Sequence, residues 1–328
     1  MMQKKVKIGV VGAGHLGKHH IKHLSNHSLV EFVGFFDSNQ DNAQLVSKKF
    51  NVKSFGSEND LINASEGINI VTPTDTHHDI AVKCLEKKKD VFIEKPITNT
   101  SEQAKKIIAL AKNNQNIVQV GHVERFNPTI KQLNRVITAP HCIEIERLAP
   151  FQTRGTEVPV VLDLMVHDID LVLSMVNEKI ENIEASGAKM MSQTVDVAHA
   201  QIKFTNGVVA NLKASRIAQN YVRKIRTYEE NLYTITDLMV PQIEVYNLKA
   251  GLNTSPESTS KEIDTADGAK TIFYDKIIPE EKDALLEEIN DFIVSIQTRK
   301  NPVVDGVQGL RALEIALEIE KKVLQNVR

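Results

Sequence analysis

The chain has 328 residues, 41% hydrophobic and 25% charged, with a formal net charge of -2. That length exceeds the size at which one hydrophobic core stops growing, so two domains are expected, and the near-neutral balance excludes a general pull toward nucleic acid or anionic membrane. Two cysteines, Cys84 and Cys142, exclude a disulfide framework and read as core thiols of a reduced, cytoplasmic protein, while the absence of any long apolar run or signal-peptide pattern argues against a membrane span or leader.

From the start of the chain, 6–11 reads as a short buried strand that runs into Gly12-Ala13-Gly14-His15-Leu16-Gly17, a GxGxxG turn opening a helix over about 15–27. A second strand, 30–36, ends in Asp37, twenty residues after Gly17. Strand, glycine turn, helix and acid together make the dinucleotide-binding fingerprint. Gly12 permits the tight turn, Gly14 lets the backbone approach a pyrophosphate, and Gly17 lets helix and strand pack closely. Ala13, His15 and Leu16 belong to the same turn, where the helix N-terminus offers N–H groups and the positive end of its dipole. Asp37 is placed to accept the ribose hydroxyls, and Ser38-Asn39-Gln40-Asp41 offers no cation for a 2′-phosphate, which favours NAD over NADP. His19, His20, His23 and His27 share the first helix; lacking a carboxylate or cysteine to complete a metal site, they read as a solvated or interfacial group.

The alternation continues through a helix at 41–50, a strand at 68–71, a helix at 77–88, a strand at 90–93, a helix at 101–113 and a strand at 117–120. Strands alternating with helices predict a parallel, doubly wound sheet, whose ligands lie outside the carboxyl ends of the strands. Three strand ends are therefore candidates: Thr72-Pro73-Thr74 with His77, Glu94-Lys95-Pro96, and Gly121-His122 followed by Glu124 and Arg125.

The stretch VVLDLMVHDIDLVLSM, 160–175, mixes core-forming residues with Asp163, His167, Asp168 and Asp170. At 3.6 residues per turn Asp163 and His167 share a face, Asp168 turns away, and Asp170 stays ambiguous. A solvated stripe, a metal site and an acid/base pair are the three readings, and no HExxH or clustered cysteine supports the metal. Beyond it come alternating runs at 196–204, 208–214, 224–228, 232–236 and 243–248, with Asn206-Gly207 as a hairpin turn. The polar, Ser/Thr/Asp-rich 250–269 reads as a mobile loop.

Taken together, VVGAGHLG, VTPTDTHH, VFIEKPIT, QVGHVERFNP, DLMVHDID and NPVVDGVQGLRALEIALEI resemble the Gfo/Idh/MocA superfamily of nicotinamide-dependent sugar and cyclitol oxidoreductases, across essentially the entire chain. The resemblance implies an NAD-binding Rossmann domain, 1–122, and an α+β domain, 123–328, built on a large, mostly antiparallel sheet, with the C-terminal helix packing back near the first domain. One face of that sheet is implied as the surface of a homo-oligomer, a dimer or tetramer. Thr72, Pro73, Thr74, His77 and Glu94 match positions lining the cofactor, Lys95, Asp163 and His167 match the catalytic set, and His122, Glu124 and Arg125 fall to the substrate pocket. A narrower resemblance, carried by GHVERFNP, ERLAPFQTR, VVLDLMVHDIDL and VANLKASR, is to the branch of UDP-N-acetylglucosamine 3-dehydrogenases, which serve an amino-sugar precursor of lipid A.

The residue chemistry suits that reaction. A hydride leaves to the cofactor, and His167, with an intrinsic pKa near neutrality, suits removal of the hydroxyl proton. Lys95 would stabilise alkoxide character at the same oxygen, and Asp163 would orient the imidazole or bond a substrate hydroxyl. A UDP-linked sugar needs cations for its diphosphate; Arg154 is the first candidate, then Arg147, Arg216, Arg223 and Arg226. Inositol, a free sugar or a sugar acid is the alternative substrate, and a non-catalytic dinucleotide sensor is the alternative class, disfavoured because all three catalytic positions are kept. On this reading His167→Ala keeps NAD binding and loses turnover, and Asp168→Ala costs little.

Overall fold

The computed structural model describes residues 4–153, 155–252, 256–266 and 268–326. The chain opens with β1 (Val6–Val11), α1 (His15–Ser25), β2 (Val30–Phe36), α2 (Gln40–Phe50), α3 (Glu58–Ala64), β3 (Gly67–Ile70), α4 (Thr74–Glu86), β4 (Asp90–Glu94), α5 (Ser101–Asn114) and β5 (Val118–Gly121). The five strands pair in parallel in the order β2-β1-β3-β4-β5. Strands β3, β4 and β5 are buried at every residue, as expected where helices cover both faces of a parallel sheet. This is the doubly wound sheet that the alternation predicts. The strand order reverses between β1 and β3, so the crevice for a ligand lies where Gly12 and Thr72 follow their carboxyl ends. Helix starts are set by side-chain caps: Asn39, Ser57 and Thr100 accept the N–H of Asn42, Asp60 and Gln103.

The chain continues with α6 (Pro128–Val136), β6 (Cys142–Leu148), a π-helical turn (Val161–Met165), α7 (Val166–Met175) and the strands β7 (Ile180–Ala188), β8 (Val197–Phe204) and β9 (Val209–Ser215). There follow β10 (Val222–Tyr228), β11 (Leu232–Asp237), β12 (Gln242–Asn247), β13 (Thr259–Thr265), β14 (Gly268–Ile277), α8 (Ala284–Thr298) and α9 (Gly306–Asn326). The nine strands from β6 to β14 form one sheet, β13-β14-β12-β11-β10-β6-β9-β8-β7, parallel between β6 and β9 and antiparallel at every other pairing. Its inner face sends Ile143, Ile145, Ile202, Leu212, Ile225 and Val245 into a core shared with Met165, Ile169 and Val172. On the outer face Tyr228, Tyr233 and Tyr246 stack across neighbouring strands with centroids 4.8 and 5.6 Å apart, and Tyr274 meets Tyr246 at a tilt with centroids 5.2 Å apart.

The loop expected over 250–269 is a correction: β13 lies within it and pairs along β14 from Thr259 opposite Tyr274 to Thr265 opposite Gly268. Every β13 side chain is exposed, so the segment shows no alternation to betray a strand; it is held along β14 by backbone pairing. The cysteines divide as well. Cys84 is buried, whereas Cys142 is half-buried on β6 rather than in a core.

The chain divides into two compact units, Met1–Phe126 with Asp283–Glu314, and Asn127–Lys282 with Ile315–Arg328. The Asp283–Glu314 segment belongs to the first unit, although it follows the second in sequence, because α8 buries Ile289, Phe292 and Ile293 in the first core. Phe292 meets Phe92 of β4 edge-on at 5.9 Å, and Gln119 of β5 donates to the Glu288 carbonyl at 2.9 Å. Among the described residues no helix is long and apolar enough to cross a membrane.

Candidate active site

The glycine turn is shaped by what a side chain would strike. Gly12 holds φ +95°, and a Cβ there would lie 2.4 Å from the Val71 carbonyl oxygen; a Cβ at Gly17 would lie 2.1 Å from the Gly12 oxygen. At Gly14 a Cβ would meet nothing within 4 Å, so the backbone is open on that side. The first turn of α1 has neither a side-chain cap nor an acidic residue, and Gly14, His15 and Leu16 are exposed there. These are the conditions for an anion at a helix N-terminus.

Asp37 is fixed by three donors: the Ala13 N–H at 2.8 Å, the Asn39 N–H at 2.8 Å and the Asn42 amide at 3.0 Å. Ala13 therefore serves the carboxylate rather than a ligand, and Asn42 is a supporting residue that the sequence reading missed. A cavity of about 600 Å³ is lined by Gly12, Gly14, Asp37, Ser38, Thr72 and Pro73, so these candidates do come together. Lys83, also in its wall, is a cation that the loop after β2 gave no hint of, but Glu58 binds it at 2.9 Å, and Asp75 and Asp79 stand beside it. An acid-rich wall suits ribose hydroxyls and repels an added phosphate. The residues fit NAD: the open backbone at Gly14 and the start of α1 would hold the pyrophosphate, and Asp37 the adenosine ribose.

Further along the strand ends, His77 is buried with Nδ1 3.0 Å from the Pro96 carbonyl and Nε2 2.9 Å from the Thr72 carbonyl. It ties the loop after β3 to the loop after β4, and burial lowers its pKa, against the opposing pull of those carbonyls. Glu94 is buried at the end of β4, and half-buried Lys95 follows it. His122 and Glu124 are buried and Arg125 half-buried, on a 3-10 turn (Val123–Phe126) in which the Arg125 N–H donates to the His122 carbonyl at 3.0 Å.

The four histidines expected on the first helix do not form one group: α1 ends at Ser25, so His27 lies beyond it. His20 is fully buried on the face it shares with Gly17, Ile21 and Leu24, with Nε2 3.0 Å from Glu94 and Nδ1 3.0 Å from the Asn69 amide, so the solvated reading fails there. Its place three residues after Gly17, on the apolar face, is the signal that separates it from its neighbours. Among the described residues no cluster of three His, Cys, Asp or Glu side chains could hold a metal ion.

In the second unit the π-helical turn enters α7, and the Asp163 N–H donates to the Pro159 carbonyl at 3.0 Å. Such turns concentrate at functional sites because they redirect side chains within a helix. Asp163 and His167 are half-buried, whereas Asp168 and Asp170 are buried, so the polar residues are not a solvated stripe. Asp168 turns to β6 and binds Arg147 through Nε at 2.9 Å and Nη2 at 2.7 Å, both residues being buried. Asp168 is thus one half of a buried ion pair, and Arg147, a candidate for a diphosphate, is engaged by it.

The other arginines divide similarly. Arg216 is buried and donates to the carbonyls of Gly155 and Val158, holding the loop before the π turn. Arg226 reaches Glu146 at 3.4 Å on the outer sheet face, and Arg223 lies on β10 opposite Arg147. Arg154 lies outside the described residues. Asp196, 4.0 Å from Arg216, accepts the N–H groups of Met190, Met191 and Ser192 and the Ser192 hydroxyl. Burial raises its pKa, but these hydrogen bonds outweigh it and hold the carboxyl at about 2.

Two family models match the chain: an oxidoreductase family with an NAD-binding Rossmann fold over 6–122, and the Gfo/Idh/MocA C-terminal domain over 148–232. A UDP-N-acetylglucosamine 3-dehydrogenase of Acidithiobacillus ferrooxidans is 32% identical over 315 residues, 96% of each chain. A solved structure of an enzyme of that name from the same organism superposes with a TM-score of 0.87 at 30% identity, covering 97% of this chain and 98% of the other. A myo-inositol 2-dehydrogenase of Thermotoga maritima is 24% identical over 96% of each chain. The glycine turn, the acid that closes it and these end-to-end matches agree: the chain belongs to the Gfo/Idh/MocA family of NAD-dependent oxidoreductases.

Proposed function

We propose that the chain oxidises a secondary hydroxyl of a nucleotide sugar to a ketone, and that the substrate is UDP-N-acetylglucosamine, reacting at its 3-hydroxyl. The observation that carries the substrate is the 32% identity to a UDP-N-acetylglucosamine 3-dehydrogenase over 96% of both chains. NAD, when bound, supplies the hydride acceptor. His167 takes the hydroxyl proton at an imidazole nitrogen, and Asp163, one turn earlier on the same half-buried face, orients the ring. Lys95 places its ammonium against the substrate oxygen and holds the negative charge that develops there. Glu94, Thr72, Pro73 and Thr74 serve the cofactor, with His77 holding two of the loops they lie on. His122, Glu124 and Arg125 serve the sugar, and Arg154 the diphosphate.

Myo-inositol is the rival substrate, favoured by the 24% identity to the Thermotoga enzyme. Pure protein with NAD and UDP-N-acetylglucosamine, plus an aminotransferase and glutamate to convert the ketone to an amine, is expected to form NADH and a sugar in which one hydroxyl is replaced by an amino group. No NADH from that mixture, with NADH from myo-inositol, sinks the nucleotide-sugar assignment. We also read the outer sheet face as the surface through which copies associate, on the strength of its row of four contacting tyrosines. Tyr233→Glu is then expected to lower the solution mass measured by light scattering.

A further inference from the structure

His20 is fully buried between α1 and the strand ends, and both of its ring nitrogens are engaged. The Asn69 amide nitrogen 3.0 Å from Nδ1 can only donate, so Nδ1 accepts and the ring proton sits on Nε2, donated to Glu94 Oε1 at 3.0 Å. The other carboxylate oxygen, Oε2, accepts the Lys95 N–H at 3.2 Å. Glu94 stands opposite Gly121 in the sheet register, and a Cβ at Gly121 would lie 2.8 Å from Oε2, so the glycine leaves the space that the carboxylate fills.

A contact between α1 and the sheet does not need this arrangement. Ile21 and Leu24 supply apolar packing on the same helix face, and Phe92 lies 5.2 Å from the His20 ring. An apolar side chain at 20 would pack there without any polar partner, whereas a buried histidine must have its ring nitrogens bonded, as Glu94 and Asn69 bond them here. Asn69 underlines this: its Oδ1 is buried with no hydrogen-bond partner among the described residues, so the amide is kept for the single bond it gives His20.

We propose that His20 is a positioning residue for the oxidoreductase reaction: it fixes the Glu94 carboxylate against Gly121, and through it the backbone of Lys95, so that the Lys95 ammonium meets the substrate oxygen. This rests on the role given to Lys95 above. Two polar substitutions divide the histidine's contacts. In His20→Gln the amide nitrogen reaches as far as Nε2 and keeps the bond to Glu94; in His20→Asn the shorter amide keeps only the bond to Asn69.

Each variant is assayed on whichever of UDP-N-acetylglucosamine and myo-inositol the wild type oxidises. His20→Gln is expected to retain most of kcat, while His20→Asn loses about 10- to 100-fold, the scale set by small misplacements of a catalytic group. The readout independent of turnover is the crystal structure of each variant without cofactor: Glu94 stays against Gly121 in His20→Gln and turns away in His20→Asn. Equal kcat in the two variants, or an undisturbed Glu94 in His20→Asn, overturns the proposal. Lys95→Met separates it from the reading beneath: wild-type kcat there removes the role of Lys95, whereas an inactive Lys95→Met beside two equally active His20 variants removes only the role of His20.

Discussion

The glycine turn of the first unit and the π turn with α7 in the second prepare a site in opposite ways. At the glycine turn the backbone faces the ligand, and the polar side chains around it are turned inward: Asp37 takes the Ala13 and Asn39 N–H groups, and His20 takes Glu94. On the π turn and α7 the side chains face outward, and burial sorts four polar residues into two kinds. Asp163 and His167 stay half-buried, while Asp168 and Asp170 go into the core. A phosphate needs N–H dipoles at close range, which glycine permits, whereas proton transfer needs a titratable group, which only a side chain supplies.

The sharpest break in that contrast comes from exchanging roles along α7. His167→Ala is expected to lower kcat by about 10²- to 10⁴-fold, the usual contribution of a general base, while NADH binding by fluorescence titration holds, since the glycine turn is untouched. Wild-type turnover in that variant removes the acid/base reading of the helix. Asp168→Ala acts on stability instead. It removes the carboxylate from the buried Arg147 guanidinium, and losing one partner of a buried pair costs about 3–5 kcal/mol, readable as a lower urea midpoint. Arg147→Met with Asp168→Leu is expected to recover much of the loss, because two apolar chains leave no charge behind.

The same contrast explains what the sequence disclosed. Backbone sites leave glycines at fixed spacing, so the Gly12 to Gly17 turn and the parallel sheet that bears it were legible from residue order. Asp163 and His167 stood out in the sequence because they are four residues apart, and both stay half-buried, Asp163 on the π turn and His167 on α7. The burial of Asp168 was not, since its partner Arg147 lies 21 positions away on β6 and nothing local marks the pair. His20 hid among other histidines of its own helix, and Lys83 reaches the cavity beside Asp37 from α4, far along the chain. β13 escaped because a strand with no buried face carries no alternation.

At the glycine turn, Asp37→Ser removes a carboxylate bonded by three donors and left open to the cavity. NAD affinity is expected to fall about 10- to 100-fold, the scale of hydrogen bonds to a charged group, with NADP losing less and the ratio of the two kcat/KM values narrowing. An unchanged ratio assigns the discrimination to Glu58, Asp75 and Asp79 instead.

The smallest effect comes from the loop between β7 and β8, where Asp196 stands 4.0 Å from the Arg216 that holds the loop ahead of the π turn. Asp196 has its pKa held at about 2 against an ordinary 3.8, so as the pH falls the unfolded chain takes up the proton first. The stabilisation is complete above 3.8 and is lost as the pH drops toward 2, amounting to on the order of 2 kcal/mol. Asp196→Asn removes that carboxyl, so the acid limb of its stability profile, measured by urea unfolding between those pH values, is expected to be shallower than the wild type's. Near neutrality the variant is also less stable, because the Met190, Met191 and Ser192 N–H groups then face a neutral amide. Identical acid limbs in the two proteins would mean that the loop's hydrogen bonds form as readily around the protonated acid, and that Arg216 alone holds Gly155 and Val158 ahead of the π turn.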